Sequence, residues 1–450
     1  METKELKGSW WLPGNPDRRF YGTLNFDNTS GCYLEIVGSL STEDIVEIIL
    51  GYSTSGDEVT LYNSIRTQST WSFPGTSTEK YISNILFLGT HFKQKEDITF
   101  KEIRISCTLL GEWLQESGFI IKRDNQEKKI FIEYTSMEPH VFTFNDYSIS
   151  FYQSPDIKYN IATKAPKITD KYFIKFIYSE EKSYNIILEN INSMMNFLSL
   201  ATREEISETS LEGITDTVSK VASGGIIYKP TIKIIYKSTR KTDMPEQINT
   251  NQMLFGYQEI KTNFTDIYSN WLHIIDKLTT LYSLYFGTSY NPRMYIENVF
   301  LNYVIALETY HRQVFKNEEI SIDEHNVRIR EIVTNTPHEY SSWLESKLQY
   351  SNEPTLRKRL QKLFQINNSI LKYTTTTKNK FINNVVNTRN YLVHRDAYLE
   401  KKALRDGELI YLNSKLKSLV EMCLLRELGF NYNQIKSICD KPFVYMQLEI

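Results

Sequence analysis

Apolar residues along this chain follow two different periods. Up to about residue 245 they come in short runs bounded by turn residues, at 21–26, 32–37, 45–50, 59–62, 85–88, 98–110 and 129–134, many alternating apolar with polar. A period of two broken by Gly and Pro predicts antiparallel strands in a sandwich or barrel-like sheet. Fourteen of the 18 glycines lie before residue 251, which concentrates tight turns in this half. Trp10 and Trp11, just before Pro13-Gly14, read as a core plug at an open sheet end or as a ligand platform. A second β-rich segment covers 141–177 and leads into an amphipathic helix at 181–200, with Ile186, Ile187, Ile191, Met194 and Leu198 facing inward. Residues 201–225 are polar and hydroxyl-rich and predict loops, and 226–236 predicts one more strand, broken at Pro230.

From Met253 the period changes to that of long helices. They are expected at 264–286 (split near Lys277), 293–315, 366–398 and 403–428, with a short one at 432–439. Ile296, Phe300, Tyr303, Leu307 and Tyr310 form one stripe of the second, with Leu301, Val304 and Glu308 in the adjoining row. Gly429 is a C-cap signal, and Pro337 and Pro354 fit first turns. A chain of 450 residues exceeds what a single core organises. Residues 237–251 have neither pattern, so the expectation is an α+β multidomain protein: a β-rich, sandwich-like domain over 1–245 followed by an all-α bundle over 250–450.

Composition narrows the class. Hydrophobic residues at 41% and charged residues at 24% suit a soluble globular protein, and no apolar run reaches the roughly 20 residues that span a bilayer. Residues 1–14 lack the apolar core of a secretion signal, so the cytoplasm is expected and no membrane partner. Cys32, Cys107, Cys423 and Cys439 are scattered without a CxxC pair, which predicts reduced thiols and no metal site. The net charge of −2 divides unevenly, with 25 Lys and Arg against 21 Asp and Glu from Asn251 onward. That mildly basic half permits nucleic-acid binding. Phosphate-loop and HExxH patterns are absent, against NTPase and metalloprotease readings.

Candidate chemistry gathers at 381–396, FINNVVNTRNYLVHRD. Read as a helix, Ile382, Val386 and Val393 recur on one buried stripe that also carries Arg389. Asn383, Asn387, Asn390 and His394 form a polar line, with Asn390 and His394 one turn apart. Of the seven histidines only His394 has an arginine five to seven residues before it. An imidazole moves protons near neutrality, and a guanidinium offers a planar fork to a phosphate. The same residues also suit an interface histidine and a structural arginine. On a helix five residues rotate by about 140°, so Arg389 and His394 of one chain diverge unless a two-fold interface or a helix start inside the motif intervenes. The run Arg357, Lys358, Arg359 and Lys362, with Lys372, Lys378 and Lys380 beyond it, suits an RNA backbone or a solvated face. Arg395 suits a phosphate contact or plain solvation.

Arg389-Asn-Tyr-Leu-Val-His394 resembles the Arg-x4–6-His motif of HEPN ribonuclease domains. The helical half, including Phe300-Leu-Asn-Tyr-Val-Ile-Ala-Leu-Glu-Thr-Tyr-His-Arg312, resembles the HEPN domain of ApeA-type anti-phage proteins. Gly8-Ser-Trp-Trp-Leu-Pro13, Tyr21-Gly-Thr-Leu24, Ile48-Ile-Leu-Gly51, Val59-Thr-Leu-Tyr-Asn-Ser64, and Leu88-Gly-Thr-His-Phe92 with Trp113-Leu114, resemble that family's N-terminal domain. The resemblance implies a metal-independent endoribonuclease without cofactor, working as a homodimer or higher oligomer through the bundle, in the cytoplasm of a bacterial cell. It implies that Arg389, Asn390 and His394 act on cellular RNA, with tRNA one candidate, in abortive infection. It also implies that Glu308, which equally suits a solvated position, pairs with Arg389, and that the N-terminal domain senses a phage-derived trigger or regulates the nuclease. The rival expectation is a non-catalytic bundle that dimerises or holds a nucleotide, beside a β domain that recognises a protein or glycan.

Overall fold

In the computed structural model the described residues are 4–27, 30–124, 126, 128–160, 165–238, 240, 249–371 and 374–441. Two compact units divide the chain, Met1–Thr265 and Asp266–Ile450. Most of the boundary segment expected at 237–251 lies outside the described residues.

Six strands open the first unit: β1 Lys4–Trp11, β2 Phe20–Asp27, β3 Gly31–Val37, β4 Ile45–Ser53, β5 Glu58–Thr70 and β6 Thr78–Leu88. Their alternation sends one row inward; in β3 that row is Cys32, Leu34 and Ile36, all buried. β1 pairs with β2 and β4, β3 with β2 and β6, and β5 with β4 and β6, all antiparallel. The sheet therefore closes on itself as a barrel, which leaves fewer free edges than two stacked sheets would. Trp10, Leu24, Ile49, Leu61 and Tyr81 are fully buried inside it. Trp11 is buried in a second cluster with Ile48 and Leu50, so both tryptophans are core residues. The chain approaches itself closely here: a Cβ on Gly51 would lie 2.3 Å from a Trp10 ring carbon.

The sheet then leaves the barrel. β7 Thr99–Cys107 is followed by helix α1 Leu110–Leu114 and the hairpin β8 Phe119–Asp124 and β9 Lys129–Tyr134. Next come β10 His140–Thr143, β11 Tyr147–Asn160, β12 Ala165–Ser183, helix α2 Tyr184–Thr202 and β13 Glu208–Ile214. Two-residue β14 Lys220–Val221 and β15 Ile227–Tyr228 precede β16 Ile232–Tyr236 and helix α3 Tyr257–Ile260. Past Ser83, β6 exchanges β3 for β16, and the sheet continues through β13, β7, β12 and β11 to β10.

Three expectations change. The helix expected at 181–200 starts three residues later, because β12 keeps Lys182 and Ser183 paired with Phe100 and Thr99. Ile186 is then outside the buried face, at 44% exposure. The loops expected at 201–225 contain β13, a central strand whose polar composition hides it; Glu212 on it pairs with Arg104 of β7.

The second unit is helical. α4 Phe264–Lys277, α5 Thr279–Ser289, α6 Ile296–Val314, α7 Ile322–Thr334, α8 His338–Leu348, α9 Leu356–Leu371, α10 Thr375–His394, α11 Asp406–Glu427 and α12 Tyr432–Cys439 follow in order. α6 is the central helix, packed against α5, α9, α10 and α11, and buries Phe300, Tyr303, Val304, Leu307 and Tyr310. Tyr310 Oη donates to Glu427 on α11 at 2.8 Å, so its polar tip is satisfied inside the bundle. The single helix expected at 366–398 is two: α9 ends at Leu371, and Thr374 caps a fresh start by accepting from the Thr377 N–H. Gly429, at φ 94°, closes α11 as a left-handed residue. Among the described residues no helix is long and apolar enough to cross a membrane.

Candidate active site

α10 carries Arg389, Asn390 and His394, and its inner face is Phe381, Ile382, Val385 and Thr388. That stripe is rotated from the expected one. Val386 is only half-buried, and Val393 is 49% exposed because it sits on the last turn with little to pack against. Arg389 is therefore at the margin of the packed seam, half-buried, and not within it.

The helix runs unbroken through the hexapeptide to His394, which removes a helix start inside the motif as a way of uniting its two ends. Arg389 and His394 of one chain thus leave the axis about 140° apart. The long Arg389 side chain bends toward its neighbour, and Nη1 donates to Asn390 Oδ1 at 3.3 Å. Asn390 in turn stands one turn below His394. The imidazole is exposed at the helix end and has no hydrogen-bond partner among the described residues. The structure brings Arg389 to Asn390 and leaves His394 open to solvent.

Beyond His394 the chain reverses at Arg395, in the left-handed region at φ 55°, whose N–H bonds the Tyr391 carbonyl at 2.8 Å. Asp396 Oδ1 accepts from the Tyr398 N–H at 2.9 Å, and buried Thr388 Oγ1 accepts from the Leu404 N–H at 3.0 Å. These bonds tie residues 395–405 back against the end of α10. They bring a further pair to this surface: Arg405 Nη2 donates to Tyr391 Oη at 3.1 Å, fourteen residues away. No fixed spacing announces that pair; the density of Tyr, Lys and Arg between 391 and 405 was the available signal.

The remaining candidates separate. Arg359, grouped in the sequence with the basic run, is an interior residue at 1% exposure, which corrects its place among RNA contacts. Its Nη1 meets His311 Nδ1 at 3.2 Å and its Nη2 donates to Asn317 Oδ1 at 2.6 Å. Burial lowers its pKa first, Arg312 adds to that, and Glu308 and Glu353 oppose it. Glu308 is half-buried on α6 and forms no ion pair with Arg389 among the described residues; its field reaches Arg359 instead. Arg357 Nη1 donates to Asn383 Oδ1 of α10 at 2.6 Å. Lys358 pairs with Glu319, and Lys362 is exposed. Lys372 lies outside the described residues. No cluster of three or more His, Cys, Asp or Glu suited to a metal ion occurs among the described residues.

The chain thus joins a β-barrel unit to an α-helical one, in which an exposed histidine stands one turn from an arginine-bound amide at the end of a bundle helix. A family model described as ApeA N-terminal domain 1 matches residues 5–271, and one described as Apea-like HEPN matches residues 301–434. The chain belongs to the ApeA family, and its helical half is an ApeA-like HEPN domain. HEPN domains are generally ribonucleases, and that membership supports a nuclease-type role in anti-phage defence. Neither the curated proteins nor the solved structures gave a match.

Proposed function

We propose that this protein is a metal-independent endoribonuclease whose hexapeptide Arg389–His394 cuts cellular RNA, tRNA among the candidates, to abort phage growth. In the reaction the ribose 2′-oxygen attacks phosphorus, the bond to the 5′-oxygen breaks, and the products are a 2′,3′-cyclic phosphate and a 5′-hydroxyl end. His394 takes the proton of the attacking hydroxyl or supplies the one the leaving oxygen needs. Arg389 balances charge on the phosphoryl oxygens, and Asn390 orients one or the other. The observation that carries this reading is the unbroken last turn of α10, which sets Asn390 and His394 on one solvent-facing surface with Arg389 reaching toward it. Two copies of the bundle, facing across a two-fold axis, supply the arginine of one and the histidine of the other. The β-rich domain, 1–245, receives a phage-derived signal in the bacterial cytoplasm, and the domain at 250–450 responds.

Purified His394→Ala is expected to lose RNA cleavage while melting like wild type, and wild-type cleavage is expected to persist in excess EDTA. Cleavage by His394→Ala at the wild-type rate would remove the assignment. A second reading, a dimerising or nucleotide-holding bundle without catalysis beside a domain that recognises a protein or glycan, draws on the fact that His394 has no hydrogen-bond partner among the described residues. Expression of wild type and His394→Ala with equal growth and intact RNA under phage challenge would favour it.

A further inference from the structure

The turn that follows His394 builds a second feature. Tyr391 lies three residues before His394 on neighbouring positions of the helix surface. Two guanidiniums flank its ring, Arg395 at 5.5 Å and Arg405 at 5.3 Å from the centroid. Arg405 is anchored, through Tyr391 Oη and through Glu400 at 3.1 Å. Arg395 has no carboxylate partner among the described residues and rests on the ring alone. A second pair repeats the chemistry nearby: Lys402 Nζ sits 3.8 Å from the centroid of Tyr398, which is 72% exposed.

Stability does not explain this arrangement. Exposed cation–π contacts and ion pairs contribute little when water competes for both partners. A flat ring bordered by cations, one of them without a carboxylate partner among the described residues, is what an unpaired nucleotide requires. Its base stacks on an aromatic or guanidinium plane and its phosphate meets a cation. Tyr391 is also fixed in place, because the hydroxyl bond from Arg405 and the Thr388–Leu404 bond hold the turn against α10.

We propose that Tyr391, framed by Arg395 and Arg405, is a base-stacking subsite for a single-stranded ribonucleotide adjacent to the scissile phosphate, with Arg395 on that nucleotide's phosphate. The placement beside the cleaved bond rests on the nuclease reading of His394; the binding itself does not. These are positioning residues, acting on where the strand lies and not on proton transfer.

The test uses the full chain and a fluorescein-labelled single-stranded 2′-O-methyl hexanucleotide, which lacks the attacking hydroxyl and cannot be cut. Anisotropy reads its affinity across a salt series. Tyr391→Ala is expected to weaken binding about tenfold or more, whereas Tyr391→Phe keeps the stack and stays within about threefold of wild type. Arg395→Gln, an exposed substitution, is expected to flatten the dependence of log affinity on log salt by about 0.7, the contribution of one phosphate contact to a single strand. With RNA substrate, Tyr391→Ala is expected to raise KM more than it lowers kcat. Wild-type affinity in Tyr391→Ala, an unchanged salt slope in Arg395→Gln, or no binding by wild type would each overturn the subsite. His394→Ala separates the two claims: if it still cleaves RNA the nuclease reading fails, while the oligonucleotide affinities judge the stacking subsite independently.

Discussion

Arg359 and His311 meet inside the helical unit, Nη1 to Nδ1 at 3.2 Å, with both side chains buried. A guanidinium cannot give up its charge there, so the imidazole nitrogen facing it must be the unprotonated acceptor. Asn317 and Glu353 add to the shell around the same guanidinium by accepting from Nη2, while its buried Nε has no hydrogen-bond partner among the described residues. Removing Arg359 would leave this shell unpaired around a cavity, and Arg359→Ala is expected to destabilise the unit by about 3–5 kcal/mol. Urea denaturation followed by helix signal measures it; a loss below about 1 kcal/mol would show that the cation is not structural.

The same contact sets a pH dependence. Burial lowers the His311 pKa from 6.5 to about 4, with Arg359 and Lys362 pushing the same way. Between those values the unfolded chain binds a proton that the folded unit refuses, so stability is full above pH 6.5 and declines as the pH falls toward 4. The melting temperature is expected to drop across this window, and less steeply in His311→Gln. Parallel curves for the two proteins would contradict it.

Composite sites across a two-fold axis can be tested by mixing inactive variants. Arg389→Ala and His394→Ala are each expected to be inactive alone. In a mixed dimer one site regains a wild-type arginine from one copy and a wild-type histidine from the other. Random pairing should then restore about a quarter of wild-type RNA cleavage. If each site used both residues of one chain, mixing would restore nothing.

In the barrel, the close approach of Gly51 to Trp10 leaves no room for a methyl group. Gly51→Ala is expected to force the indole or the β4 backbone aside, lowering stability by about 1–3 kcal/mol and altering tryptophan fluorescence. A thermal melt unchanged from wild type would mean that this contact yields freely.

Much of this organisation was legible in the sequence, and the failures have local causes. Alternation gave the barrel strands, and the stripe at Phe300, Tyr303, Leu307 and Tyr310 gave the central helix, because each buries one face. β13 is not legible in the sequence because a strand carrying Glu208, Ser210 and Glu212 lacks an apolar row, and its place between β7 and β16 comes from pairing alone. Arg359 misled because a buried cation in a basic run looks like its solvated neighbours; only the positions of His311 and Asn317, over forty residues earlier, distinguish it. The hexapeptide was visible by spacing, but the inward face of α10 was not, since Val385 and Val386 are equally apolar and only packing chooses between them. Likewise, nothing in the order of residues shows that Arg405 reaches Tyr391; that contact exists because the turn after His394 folds back.

Because α10 continues without interruption to its final histidine, a solitary copy points Arg389 and His394 in different directions. On the proposed pairing, the working species then grows with the square of protein abundance while copies are scarce. Low expression would be harmless to the host without any dedicated inhibitor. A signal that merely gathers copies together would be enough to arm them.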